Sequence, residues 1–92
     1  MPEPLFALGQ LVSTPGALAA LTRNRTTPLP FIQRHVTGDW GDLPESDKQE
    51  NDVSIDEHLR ILSAYTLADQ TKIWIITEAN RSSTCILLPE EY

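Results

Sequence analysis

The sequence predicts a small α+β domain. An N-terminal strand and a C-terminal three-stranded meander form an antiparallel sheet, with three short helices between them, in the order β-α-α-α-β-β-β. Three observations predict it. Residues 13–57 carry helix-start residues ahead of apolar positions at helical spacing. Residues 59–88 switch to β-branched and aromatic residues broken by short turns. A chain of 92 residues makes one domain, 1–92. A domain of that size buries roughly 60–65% of its unfolded surface, enough for one core and too little to enclose a large cofactor.

The first strand is PLFALGQLV (4–12), with Gly9 marking a bulge or a close backbone contact. STPGALAALTRN follows, with Thr14 as cap, Pro15 in the first turn, and Ala17, Leu18, Ala20 and Leu21 as a narrow apolar stripe ending at Asn24. In TTPLPFIQRHVTG, Thr27 caps and Pro28 takes the first helical position. Leu29, Ile32 and Val36 share a face with Phe31 beside them, and Gly38 ends the helix in a left-handed conformation. GDWGDLPESD is a turn-rich connection. A third helix then starts at Pro44–Asp47 and runs to about Glu57, mostly facing water because Val53 and Ile55 are its only large apolar residues.

LRILSAYTL (59–67), TKIWIITE (71–78) and STCILL (83–88) are the meander strands, joined by ADQ and EANRSS. Ile73 and Ile75 fall on one face and Trp74 and Ile76 on the other, so TKIWIITE is the central strand, apolar on both sides. Cys85, the only cysteine, sits in an apolar run as a buried, inert thiol. No disulfide or cysteine-zinc cage forms from a single cysteine. The N-terminus has no basic flank and no long apolar run, and no stretch approaches the roughly 20 residues of a membrane span. The expectation is a cytoplasmic protein with no membrane association.

The formal net charge is −6, which argues against direct nucleic-acid binding through phosphates. The charge is localised. GDWGDLPESDKQENDVSIDE (38–57) holds eight carboxylates and one base, Lys48, for a balance of −7; outside it, five acids face six Lys or Arg. On a helix these acids repel one another by a few tenths of a kcal/mol per pair. The candidate partner-binding surface is therefore Asp39, Asp42, Glu45, Asp47, Glu50 and Asp52, with Trp40 and Leu43 as apolar anchors, docking a protein with a basic surface. A row of carboxylates on a rigid helix can also imitate a row of phosphates.

Other chemistry is weakly signalled. The acids lack the alternating spacing of a calcium loop, and His35 and His58 are isolated, so no metal site or cofactor is expected. One alternative polar cluster stands out: Arg34, His35 and Asp39 at a helix end, with Glu78, Asn80 and Arg81 at a hairpin tip. If the two ends met, an acid–base or ligand site would result. A second alternative is a structural subunit whose exposed sheet face, carrying Trp74, pairs with a copy of itself or a neighbour.

The segments LGQLVSTPGAL, RHVTGDWG and TKIWIITEANRSSTCILLPEEY resemble a group of short bacterial proteins labelled "plasmid-related", which travel on plasmids and integrated elements. In that group an Asp often stands at the position of Asn80 and a Thr at that of Cys85, which argues against either as a reactive group. The resemblance carries no activity or site residues. It implies a mobile-element setting, in which small acidic proteins include inhibitors of host defence that present acid where DNA would bind. The expectation is a non-enzymatic acidic interaction protein with a basic, nucleic-acid-handling partner.

Overall fold

The computed structural model describes residues 3–92. Its elements are β1 (Gln10–Ser13), α1 (Pro15–Arg23), α2 (Leu29–Val36), α3 (Glu45–Glu57), β2 (Ile61–Thr66), β3 (Lys72–Thr77) and β4 (Ser83–Leu87), followed by a 3-10 turn at Pro89–Glu91. The four strands form one sheet in the order β1-β4-β3-β2. β2, β3 and β4 are the antiparallel meander, with β3 central as expected. β1 joins the outer side of β4 in parallel, Gln10 opposite Ser83 and Ser13 opposite Ile86. The sheet is therefore mixed, and its antiparallel part is three-stranded.

β1 is shorter than the apolar run that announced it. Gly9, at φ +65°, sets its start, and the chain passes so close to the Ser82 backbone that a Cβ there has no room. Thr14 caps α1 by accepting the Ala17 N–H at 3.1 Å. Ala17, Ala20 and Leu21 are buried, but Leu18 is turned outward. α2 begins one residue later than its sequence suggests. Pro28 is the cap and has no side-chain bond to offer; its carbonyl accepts the Phe31 and Ile32 N–H groups. Leu29 shares the stripe of Ile32 and Val36 but, in the first turn, stays exposed, and the buried face is Ile32, His35 and Val36. Gly38, at φ +93°, follows the helix end.

One face of the sheet packs against α1 and α2. Tyr65, Ile73, Ile75 and Ile86 meet Ala17, Ala20, Leu21, Ile32 and Leu67 in a single buried cluster. The opposite face carries Leu62, Ala64, Trp74, Ile76, Cys85 and Leu87, which the strand pairing aligns in two rows. Among the described residues no α-helix lies over it as α1 and α2 do over the first. The Tyr92 ring meets Trp74 edge-on at 5.8 Å, and its hydroxyl accepts from Arg60 at 2.7 Å. Trp74 and Cys85 are half-buried there, so the thiol is not the sealed one its apolar run suggested. Burial and the nearby Glu91 and Glu78 carboxylates push that thiol up.

α3 covers neither face. It closes the free edge of β2. Asn51 donates through Nδ2 to the Leu62 carbonyl at 2.6 Å and accepts the Leu62 N–H through Oδ1 at 3.2 Å, acting as a one-residue strand. Two residues along, the Ala64 N–H donates to the Trp40 carbonyl at 3.1 Å, and Asp42 N–H donates to the Ala64 carbonyl at 2.8 Å. Gly41 stands between them at φ +76°, pressed against the Ala64 carbonyl and the Tyr65 ring, where no side chain fits. An open edge would invite pairing with another chain. Removing the Asn51 amide strands two backbone groups, a cost of about 1–3 kcal/mol. Asn51→Ala is expected to lower the melting temperature by about 4–8 °C per kcal/mol lost. Val53→Ala, on the exposed side of the same helix, should leave it within about 0.5 kcal/mol. Thermal unfolding followed by circular dichroism checks both.

Candidate functional site

The acidic segment divides into a start bonded to the β2 edge and a displayed helix. Asp39 is exposed, but its charge is spent. Arg34 Nε donates to Oδ2 at 2.7 Å, and Oδ1 accepts the Gly41 N–H at 3.3 Å. That hydrogen bond to Arg34 holds the Asp39 carboxyl below its usual range and raises Arg34 in turn. Arg34 also lies over the Tyr65 ring at 4.5 Å, and the Tyr65 hydroxyl donates to the Asp39 carbonyl at 2.6 Å. Desolvation pushes that phenol up to about 12.

Trp40, expected as an exposed anchor, is only 5% exposed. Its ring lies 6.3 Å from Phe6 and 6.0 Å from His35. The chain needs the Trp40 backbone at the β2 edge, and that placement sends the side chain inward. Trp40 therefore leaves the candidate surface, and Asp39 is on it as half of an exposed ion pair. Leu43 is half-buried. Asp42 is exposed and accepts from Thr66 Oγ1 at 2.7 Å.

The six acids of α3 are all exposed, and none is in an ion pair among the described residues. Asn51 and Ser54 face the β2 edge. By helical rotation, Glu45, Asp52 and Asp56 then form one outward column, and Glu50 and Glu57 form a second around Val53. Val53 is 55% exposed and is the apolar residue in the middle of this acidic face. Asp47, four residues before Asn51, falls on the stripe that turns toward β2 yet is exposed, and with Glu45 it occupies the first turn, where the helix dipole favours a carboxylate. Lys48 is half-buried.

The alternative cluster does not assemble into a cleft. Glu78 pairs with Arg60 at 3.3 Å. Arg81 spends its guanidinium on backbone carbonyls, donating to Leu59 at 2.7 Å, Ser54 at 2.9 Å, and Glu78 and Ala79 at 3.1 Å. It thereby ties the β3–β4 turn to the end of α3. Asn80 accepts the Ser82 N–H at 3.0 Å and shapes that turn. His35, the proposed acid–base residue, is 0% exposed. A substrate has no access to it.

What His35 does is structural, and the sequence carried the signal. It lies three residues after Ile32 on the buried face of α2. Its ring closes a chain of hydrogen bonds across the sheet. Thr84 Oγ1 donates to the Leu8 carbonyl at 2.8 Å, so at the 2.7 Å contact with Thr77 it accepts. Thr77 has then used its proton, and at 2.9 Å it accepts from His35 Nε2. Nδ1 is left as the acceptor for the Ser63 hydroxyl. Ser63, Thr77 and Thr84 are each 0% exposed. Four elements and the N-terminal segment are stitched by one neutral imidazole.

Comparison with protein families, curated proteins and solved structures finds no match for this chain. Among the described residues no three His, Cys, Asp or Glu side chains could hold a metal ion together, and no helix is long and apolar enough to cross a membrane.

Burial lowers the His35 pKa from 6.5 to about 4. The unfolded chain therefore binds a proton that the fold refuses between those values. Stability is full above pH 6.5 and falls as pH drops toward 4, by about 3 kcal/mol at most. Urea unfolding at pH 7 and pH 4.5 checks the loss. An NMR titration in which the His35 imidazole protonates near 6.5 in the folded protein would contradict the buried, neutral assignment.

Proposed function

We propose that this chain is a non-enzymatic interaction protein that binds a basic, nucleic-acid-handling protein through the outward face of α3. The observation that supports it most is the pairing of charge with rigidity. The segment carrying −7 ends in a helix whose acids have no ion-pair partners among the described residues. The other side of that helix is held by Asn51 against β2 and by Arg81 against its own last turn. A fixed array of carboxylates loses little conformational freedom on docking, and it steers a basic partner from a distance. Val53 supplies an apolar point of contact inside the acidic field, in place of Trp40.

In this reading Asp42, Glu45, Asp47, Glu50 and Asp52, joined by Asp56 and Glu57, provide the field, and Leu43 flanks it. The nucleic-acid-handling character of the partner rests on phosphate mimicry by the carboxylate rows and on the resemblance to mobile-element proteins, where a host-defence inhibitor would act in the cytoplasm. The burial of His35 and the separate engagement of Arg34, Glu78 and Arg81 weigh against the enzymatic alternative.

The expected outcome is salt-sensitive capture of a basic protein from a bacterial lysate, identified by mass spectrometry. Affinity for that protein should fall at least about tenfold as the Debye length shrinks from about 30 Å at 0.01 M salt to about 10 Å at 0.1 M. A variant carrying Glu45→Gln, Asp47→Asn, Glu50→Gln, Asp52→Asn, Asp56→Asn and Glu57→Gln should retain the fold and lose binding. The protein itself should give no gel shift with DNA or RNA. A partner held equally by the neutralised variant would overturn the proposal.

A further inference from the structure

The two edges of the sheet are treated differently. β2 is closed by Asn51 and by the Trp40–Asp42 segment. β1 is not. Its Gln10 and Thr14 N–H groups point inward, to the carbonyls of Ser82 and Ile86 at 3.0 Å each. By strand alternation the N–H and C=O groups of Leu11 and Ser13 point away from the sheet. No backbone group of the described residues outside the sheet pairs with them. Leu11 is 53% exposed and Val12 40%. Beside them, a pocket of about 240 Å³ is lined by Leu11, Val12, Ser13, Pro28, Ile32 and Ile86.

We propose that two copies of the chain join at this edge. β1 lies antiparallel to β1 about a two-fold axis through Val12, making one continuous eight-stranded sheet. The register follows from which groups are free. Leu11 of each copy sits opposite Ser13 of the other and exchanges both backbone hydrogen bonds with it, four in all. Val12 faces Val12 in the non-hydrogen-bonded position, with Cα atoms about 4.5 Å apart. Leu11 and Ser13 pair with Thr84 and Ile86, so they lie on the helix-packed side. The exposed Leu11 of one copy therefore arrives over the small Ser13 of the other, at the mouth of the pocket floored by Ile86 and walled by Pro28 and Ile32. Knob and hole sit one residue either side of the axis, an arrangement that a second copy completes.

Charge selects the same edge. Residues 4–38 contain no Asp or Glu, and QLVS is uncharged. The −7 segment lies along the opposite edge of the sheet, so this contact keeps the two acidic arrays at the far ends of the dimer. β1 also lacks the lysine or proline that ordinarily discourages edge pairing. An interface of one short strand and one pocket is small, and the association is correspondingly weak and concentration-dependent.

The test is sedimentation velocity across micromolar to millimolar protein. The mass should rise from 10.3 kDa toward twice that value. Val12→Lys places two ammonium groups face to face on the axis and should hold the chain monomeric at every concentration, with its circular dichroism spectrum unchanged. Cross-linking tests the register independently. In a Cys85→Ser background, Val12→Cys should form a disulfide dimer with oxidised glutathione, because a non-hydrogen-bonded antiparallel pair has the required Cα separation. Ser13→Cys, whose axial mate is a leucine, should not. A monomer at millimolar concentration overturns the proposal and leaves the edge to a strand of another protein. A dimer that folded Val12→Lys does not disturb, or one that Ser13→Cys cross-links as readily as Val12→Cys, overturns it too.

Discussion

The backbone of β2 needs a partner on its outer side, and the acidic segment is that partner. Leu62 and Ala64 offer their N–H and C=O groups outward, and Asn51, Trp40 and Asp42 satisfy them. This one requirement fixes much else. It holds α3 at the sheet edge and turns its acids to water. It brings Trp40 inward onto Phe6 and His35. It also demands glycine at position 41, where the two segments come closest. The segment that looks most like a free charged loop is thus bonded into the sheet at two points, and its charge is displayed from a fixed frame.

Much of this was legible in the sequence, because local rules agreed with the final fold. Thr14 and Pro15 start α1 and Asn24 stops it, as capping chemistry requires. The change from helical to alternating period marks the meander, and the two apolar faces of TKIWIITE mark its centre. The misreadings share a physical origin. Each concerns a residue whose role is set by a distant partner. Nothing in QLVS says that its neighbour is β4 or that the pairing is parallel; that depends on chain crossovers. Asn51 is one polar residue among many in its helix until Leu62 is opposite it. Trp40 sits in an acidic, turn-rich run, and only the β2 edge explains its burial. The burial of His35 was recoverable, since its spacing from Ile32 already put it on the core side of α2.

The core is not purely apolar. Ser63, His35, Thr77 and Thr84 cross it as an ordered relay ending on the Leu8 carbonyl. Each hydroxyl has one proton to give, so the direction of every bond is determined once Leu8 accepts the last one. Such a network is satisfied only in one arrangement of α2, the meander and the N-terminal segment. An apolar core of the same volume would tolerate sliding; this one does not. The polar relay therefore specifies the alignment of a small domain whose hydrophobic core alone is modest.

The parallel β1–β4 pairing has a consequence for how the chain reaches its fold. β2, β3 and β4 lie within residues 61–87 and are joined by short turns, so they can pair as successive hairpins. β1 must instead wait for a strand on the far side of residues 14–82. The entropy of closing that span is spent before any of its hydrogen bonds forms. The expected order is meander first and edge strand last. In a concentrated refolding mixture, the first strand of a neighbouring molecule competes with the chain's own for β4, so dilution favours the self-contained monomeric fold.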